Sequence, residues 1–462
     1  MRKMEIRSLK PWNQAFFKML LLEGSGLQGN IFGPPGQNQP GFFLNALQSR
    51  HRMMLNRSLE TSINIFLLCL ICLFGSCADQ ASISFELGYI PEGAGPVWVT
   101  IKDSADKEGS YILKPADGQK KDIPLQHWQG STWVFYKQDG MANLDIANLQ
   151  VRKTKKRFPE RVRFDYAETG FTVKVGAKSI LTFNTATLMP PAGQPEYYKR
   201  SGFIHPLYSP TGEVLTDGFP AGHTHQHGIF MAWVNTTFKG EKVDFWNQHE
   251  ELGTVRLLEV SDTVSGSVFA QFKAKLEHIS LKNGPALEEE WTVTVYNAVD
   301  NFLIDFQSVQ QTATRDTLFL NQYHYGGFGY RATREWNGAD SVHYSNDMQI
   351  LTSLGDGRDS SNHTRPDWIA GYGKIEGEMV GLAVMGHPSN FRHPQYVRVH
   401  PEMPYFCFPP MVDEGFVIAP GDVYTSNYRL LVFSGEPDQE LLDSQWKLYQ
   451  KAPTLMQGER GE

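Results

Sequence analysis

Three histidines stand at every second position of the stretch AGHTHQHGIFMAW (221–233), in a chain that has 14 histidines in all. Pro220 and Gly222 before them and Gly228 after them argue for a loop entering a strand, not for a helix. Extended backbone would put His223, His225 and His227 on one face, with neighbours roughly 6–7 Å apart. That spacing lets imidazoles converge on one ion or one small molecule. The residues leave three readings open: a three-histidine metal set for a divalent transition metal such as Zn, Cu, Fe or Ni, a row that lines a substrate without metal, and a structural strand end.

Three other stretches combine ionisable and aromatic residues. VDFWNQHEELG (243–253) holds Asp244 between apolar neighbours, a carboxylate able to orient an imidazole or accept a proton, and Trp246, able to pack under a sugar ring. Glu250 and Glu251 read as solvated turn acids. NQYHYGGFGYRATREWNG (321–338) places Tyr323 and His324 before three glycines and Arg331, Arg334 and Glu335 after them. Its glycines permit a sharp turn or a close backbone approach, and no helix follows, so it is not a nucleotide loop. HPSNFRHPQYVRVHPEMPYFCFPP (387–410) carries His387, Arg392, His393 and His400 among prolines, which suits an ordered loop or an edge. The sequence contains no serine nucleophile elbow and, beyond residue 77, no CxxC pair.

The elements that must hold these residues read as strands. EEEWTVTVYNAVDNFLIDFQSVQQT (288–312) alternates, with Trp291, Val293 and Val295 on one face and then Phe302, Ile304 and Phe306. Residues 255–280 read as a hairpin turning near Val264–Gly266. Only PDQELLDSQWKLYQ (437–450) has helical spacing. The expected class is all-β: a large antiparallel β-sandwich over 179–450 carries the site. A smaller β-sandwich-like domain at 77–178 precedes it, one C-terminal helix closes it, and a tail occupies 451–462.

The N-terminal region reads as a leader. Residues 1–52 show no periodicity and are expected to be an upstream extension that is not part of the folded protein. Residues 53–76 follow a signal-peptide layout: Arg57, the apolar run 63–74, then small residues before Cys77. The apolar run is shorter than the roughly 20 residues a spanning helix needs. FGSC matches a lipoprotein processing box, so Cys77 is the expected lipidation site. The expected location is the periplasm or outer membrane of a Gram-negative bacterium. Three of the four cysteines fall in this leader, leaving Cys407, so no disulfide framework follows. The full chain has a formal charge of −7, and residues 1–76 hold eight Lys/Arg against three Asp/Glu. The exported part is therefore more acidic still, which argues against a nucleic-acid partner.

Across HPLYSPTGEVLTDGFPAGHTHQHGIFMAW, VDFW, YHYGGFGYRATREW, RPDWIAGYG and HPSNFRHPQYVRVHP the sequence resembles the bacterial family of unknown function DUF6807, which carries the label "methane oxygenase PmoA". The resemblance covers most of 200–435. It implies a fold similar to the galactose-mutarotase-like supersandwich, a carbohydrate-active architecture. A membrane methane oxygenase subunit would need several apolar spans, and the chain beyond the leader has none. Members of the family often read Asp-His-x-His-His before the glycine. Here Gly222 stands at the Asp and Gln226 at the third His, so a fixed metal site at His223, His225 and His227 is not implied, and no cofactor is expected.

The functional expectation is a carbohydrate-active protein, an epimerase, lyase or glycosidase, that moves a proton at a sugar. His223 and His225 would be the acid/base groups, opposed by Asp244 or Glu335. His227, Trp233, Trp246, Tyr323, His324, Arg331, Arg334, His387, Arg392 and His393 would bind the carbohydrate or other small polar substrate. The alternatives are a histidine-ligated metal enzyme such as an oxygenase and a non-catalytic sugar-binding protein. The four stretches share one composition and sit at strand ends, so they are expected to form one cleft. His223 or His225 should then lie within about 10–12 Å of Arg331, Arg334, His387 or Arg392.

Overall fold

The computed structural model describes residues 83–90, 93–102, 110–115, 122–138, 141 and 149–452. The expected extension, signal segment and lipidated Cys77, and all but the first two residues of the tail, lie outside the described residues. Two eight-stranded sheets face one another, and every strand pair in them is antiparallel. The first sheet centres on Phe203–Leu207, Ile229–Ala232, Gly327–Arg331 and Tyr405–Phe408. The second contains the long strands Gly253–Val264, Phe269–Ser280, Gly284–Tyr296, Phe302–Thr312 and Tyr424–Ser434.

Alternation decides what lies between the sheets. Trp291, Val293 and Val295, with Phe302, Ile304 and Phe306, are buried in one core with Ile229, Met231, Phe328 and Phe406 from the opposite sheet. Residues Gly253–Ser280 form the expected hairpin, with Val264 paired to Gln271. The opposite face of the second sheet is also covered. Phe269, Tyr296, Leu431 and Phe433 pack there against Trp98 and Val134 of the upstream sheet and Leu442 and Tyr449 of the helix Gln439–Tyr449. That helix starts on Asp438, whose carboxylate accepts from the Leu441 backbone at 3.1 Å. Among the described residues no helix is long and apolar enough to cross a membrane.

The upstream sheet has six strands between Phe85 and Thr154 and its own apolar cluster around Val97, Leu113, Trp133 and Phe135. One boundary differs from the sequence expectation. Val162–Ala167 and Gly170–Val175, expected to end the upstream domain, instead continue the first large sheet beside Lys178–Asn184. Val162, Phe171 and Val173 are buried in the main core, so apolar packing places them there.

Candidate functional site

The histidine stretch is not a strand. His223 donates its backbone N–H to Pro220 at 3.2 Å and Gln226 donates to His223 at 3.0 Å, so two turns follow one another. Gly222 takes φ +80°, which a glycine adopts without a Cβ penalty. Regular structure resumes at His227, which bridges to Gly218. Gly228 is required by space as well as by φ +57°: a Cβ there would stand 2.2 Å from the Ile204 carbonyl oxygen.

This backbone corrects the expectation of one three-histidine face. The turns keep His223 and His225 together, ring centroids 5.5 Å apart, and send His227 inward. His227 is fully buried against Phe219 and Phe203, centroids 4.8 and 5.3 Å away. Gln248 spends its amide N–H groups on Tyr197 and Lys199 carbonyls, so its Oε1 accepts from His227 Nε2–H at 3.0 Å. His227 therefore supports the turn from below and does not line a substrate surface.

Two histidines from elsewhere extend the pair into a row. His400 lies 6.3 Å from His223 and His249 lies 5.4 Å from His225, ring centroid to centroid. His400 Nδ1 accepts from the backbone N–H groups of Glu402 and Met403 at 3.1 and 3.0 Å, so its neutral form carries the proton on Nε2. Burial pushes His225 down to about 3 and His400 to about 4, and His223 below its ordinary value. Their mutual repulsion and the nearby Arg331 charge act in the same direction. These three imidazoles of the row are neutral at pH 7, able to donate and accept hydrogen bonds.

Arg331 joins the row through the backbone and through Gln226. Its N–H donates to Gly228 at 2.7 Å, its carbonyl accepts from Asp217, and Nη1 donates to Gln226 Oε1 at 3.0 Å. Across the sheet it pairs with Tyr405, whose ring lies 5.9 Å from His400. Buried Asp217 holds Arg334 Nη2 at 2.7 Å, and Arg334 lines, with Glu335, a cavity apart from the row. Tyr323 and His324 pack around Tyr325: His324 meets its ring edge to face at 4.9 Å, and Tyr325 Oη accepts from Asn247 Nδ2 at 2.8 Å.

Other expected site residues lie elsewhere or are already engaged. Asp244 accepts from the backbone N–H groups of Trp246 and Asn247 and from Asn247 Nδ2, at 2.7–2.9 Å, so its carboxylate shapes its own turn. Trp246 is buried against Phe230, 4.5 Å away, and Trp233 donates to Gln310 deep in the core. Glu335 lines a separate cavity of about 460 Å³ with His205 and Thr216. His387 and His393 pack under the C-terminal helix, 5.0 Å from Tyr449 and 6.4 Å from Trp446. Arg392 caps carbonyls of Pro410, Glu414 and Gly415. Of the 387–410 stretch, it is His400 that joins the row. The sequence flagged His249 and His400 within motif stretches without assigning them a role, and Asp217 carried no local signal.

A protein-family model described as "Family of unknown function (DUF6807)" matches residues 170–447, from the second strand of the main sandwich to its C-terminal helix. The chain belongs to the DUF6807 family. No curated protein sequence matches it. Among solved structures it is similar to a GH36 α-galactosidase of Geobacillus stearothermophilus in complex with raffinose (11% identity, 60% of this chain and 40% of that one, TM-score 0.30). A galactose mutarotase related enzyme of Lactobacillus acidophilus shares 10% identity over 59% of this chain and 97% of its own, TM-score 0.27. A galactose 1-epimerase of the same species shares 9% over 71% and 99%, TM-score 0.24. The chain thus spans about two fifths of the α-galactosidase's length and nearly all of the other two.

The donor set of this DUF6807 chain does not fit a three-ligand metal. Among the described residues no three His, Cys, Asp or Glu side chains are placed to hold one ion. His227 has turned into the core, and His400 Nδ1 already accepts two backbone donors.

Proposed function

We propose that this DUF6807 chain is an exported, lipid-anchored, carbohydrate-active protein that binds a sugar along the row His400–His223–His225–His249 and moves a proton there. The observation that carries this reading is the row itself: adjacent imidazoles, three of them held neutral by burial, beside a buried guanidinium. A neutral imidazole presents a donor and an acceptor, which suits vicinal hydroxyls and a mobile proton. Epimerase or lyase chemistry suits the row better than two-carboxylate hydrolysis. Asp244 is held by its own turn and Glu335 lines another cavity, so neither opposes the imidazoles at the separation that glycosidases use. The lipid anchor is carried by Cys77 and the apolar run before it.

The test is exchange in D₂O. Purified protein incubated with a panel of neutral and acidic monosaccharides should wash deuterium into one sugar C–H position, detected by proton NMR. A His223→Ala/His225→Ala double variant that stays folded should lose the exchange. Undiminished exchange in that variant, or none with any sugar of the panel, would overturn the proposed role.

A further inference from the structure

Arg331 is wholly buried, and its hydrogen bonding is one-sided. Nη1 is held by Gln226, whereas Nε and Nη2 are buried without a hydrogen-bond partner. Nε–H and one Nη2–H point in the same direction and form one edge of the planar guanidinium. Such an edge matches the two coplanar oxygens of a carboxylate. Leaving charged donors buried and unpaired is unfavourable, which makes this edge a site awaiting an anion.

The surroundings point the same way. Asp217, the buried acid that interacts with Arg331, is engaged by Arg334. Tyr405, opposite Arg331 in the sheet, is engaged by Arg398 and brings no negative charge to the edge. Arg398 and Arg358 stand near His400: Arg358 Nη2 donates to the His400 carbonyl at 3.4 Å, and Arg398 lies two residues away in sequence. Three members of the row, His223, His225 and His400, are thus neutral imidazoles in a positive field.

We propose that the Nε–Nη2 edge of Arg331 binds the carboxylate of an acidic sugar, a uronate or sugar acid, whose hydroxyls lie along the imidazole row. The inference rests on the carbohydrate reading above and names its substrate class. A single planar edge selects a carboxylate over a tetrahedral phosphate, which gains most from several converging donors. The edge is covered by protein, so entry requires a side chain to swing aside. Half-buried His223 is suited to this, because its Nδ1 has no hydrogen-bond partner to release. Anion binding would also draw the imidazoles toward protonation and so bring their basicity into a useful range.

Calorimetry with the full chain at pH 7 tests this, using galacturonate, glucuronate, their methyl esters, galactose, glucose, acetate and inorganic phosphate. A uronate should bind at least about tenfold tighter than its methyl ester and its neutral parent, the scale of one charged hydrogen-bonded pair. Arg331→Gln should erase that preference. Should this variant fail to fold, the acid-versus-ester comparison in the unmodified protein still decides. Ester and neutral sugar binding as tightly as the uronate would overturn the carboxylate assignment and leave the sugar reading standing. Acetate or phosphate binding as tightly as the uronate, with no neutral sugar bound, would instead overturn the sugar reading on which the inference rests.

Discussion

The rings of His223 and His400 lie 6.3 Å apart, although one comes from a double turn ahead of a central strand and the other from the loop that joins the edge strand Arg398–Val399 to Tyr405–Phe408 in the same sheet. The sheet brings them together: Ile229–Ala232, Gly327–Arg331 and Tyr405–Phe408 are consecutive neighbours in it. Loops at one end of adjacent strands therefore share a site whatever their sequence separation.

His249 is exposed, and its ring touches His225. Replacing it with alanine should leave the thermal midpoint within about 1–2 °C, as expected for a surface position. Binding of the preferred sugar should weaken by at least about fivefold, on the order of one lost hydrogen bond. Unchanged binding in calorimetry would remove His249 from the row.

Acid should destabilise the protein before it titrates carboxylates. His205 and His400 are pushed down to about 4 and His225 to about 3, chiefly by burial. Below the ordinary histidine range near 6.5 the unfolded chain takes up protons that the folded chain refuses. Stability is therefore full above that range and falls as the pH drops from about 6.5 toward 4. His225→Gln should lower the slope of unfolding free energy against pH by up to one proton in that window, as read by urea unfolding at several pH values.

Gly228 and Asp217 hold the site's frame, and their substitution should cost stability in different ways. Gly228→Ala forces a Cβ against the Ile204 carbonyl at positive φ and should lower stability by more than about 1 kcal/mol. Asp217→Asn keeps the shape and weakens the Arg334 pair, a loss of roughly 1–3 kcal/mol. Denaturant midpoints check both, and a neutral Gly228→Ala would contradict the packing described here.

Cys77 lies outside the described residues, so its role rests on sequence. Cys77→Ser should move the protein from the membrane fraction to a soluble or unprocessed form, followed by fractionation and immunoblotting. An unchanged distribution would contradict the lipid anchor.

The strands were legible because alternation is a local property. Trp291 to Phe306 face the core as their period-two pattern indicates, and the helix at 439–449 follows its apolar spacing and its Asp438 cap. The same rule misled at 223–227, where Gly222 and the two turns replaced extended backbone and turned His227 inward. Which loops meet was not local. Arg392, His387 and His400 share one proline-rich stretch, yet the course of the chain between strands places them in different neighbourhoods. Asp244 could not be told from a catalytic acid by type alone. Its three hydrogen bonds from Trp246 and Asn247 give it a turn-forming role.

The central claim, one sugar site on the imidazole row, is tested most directly by histidine-selective ¹⁵N NMR during titration with the preferred sugar. Resonances of His223, His225, His249 and His400, assigned by single substitution, should shift together and saturate at one affinity. His387 and His393, under the C-terminal helix, should stay in place. Shifts confined to His387 and His393, or a row that does not respond while the sugar binds, would contradict the account.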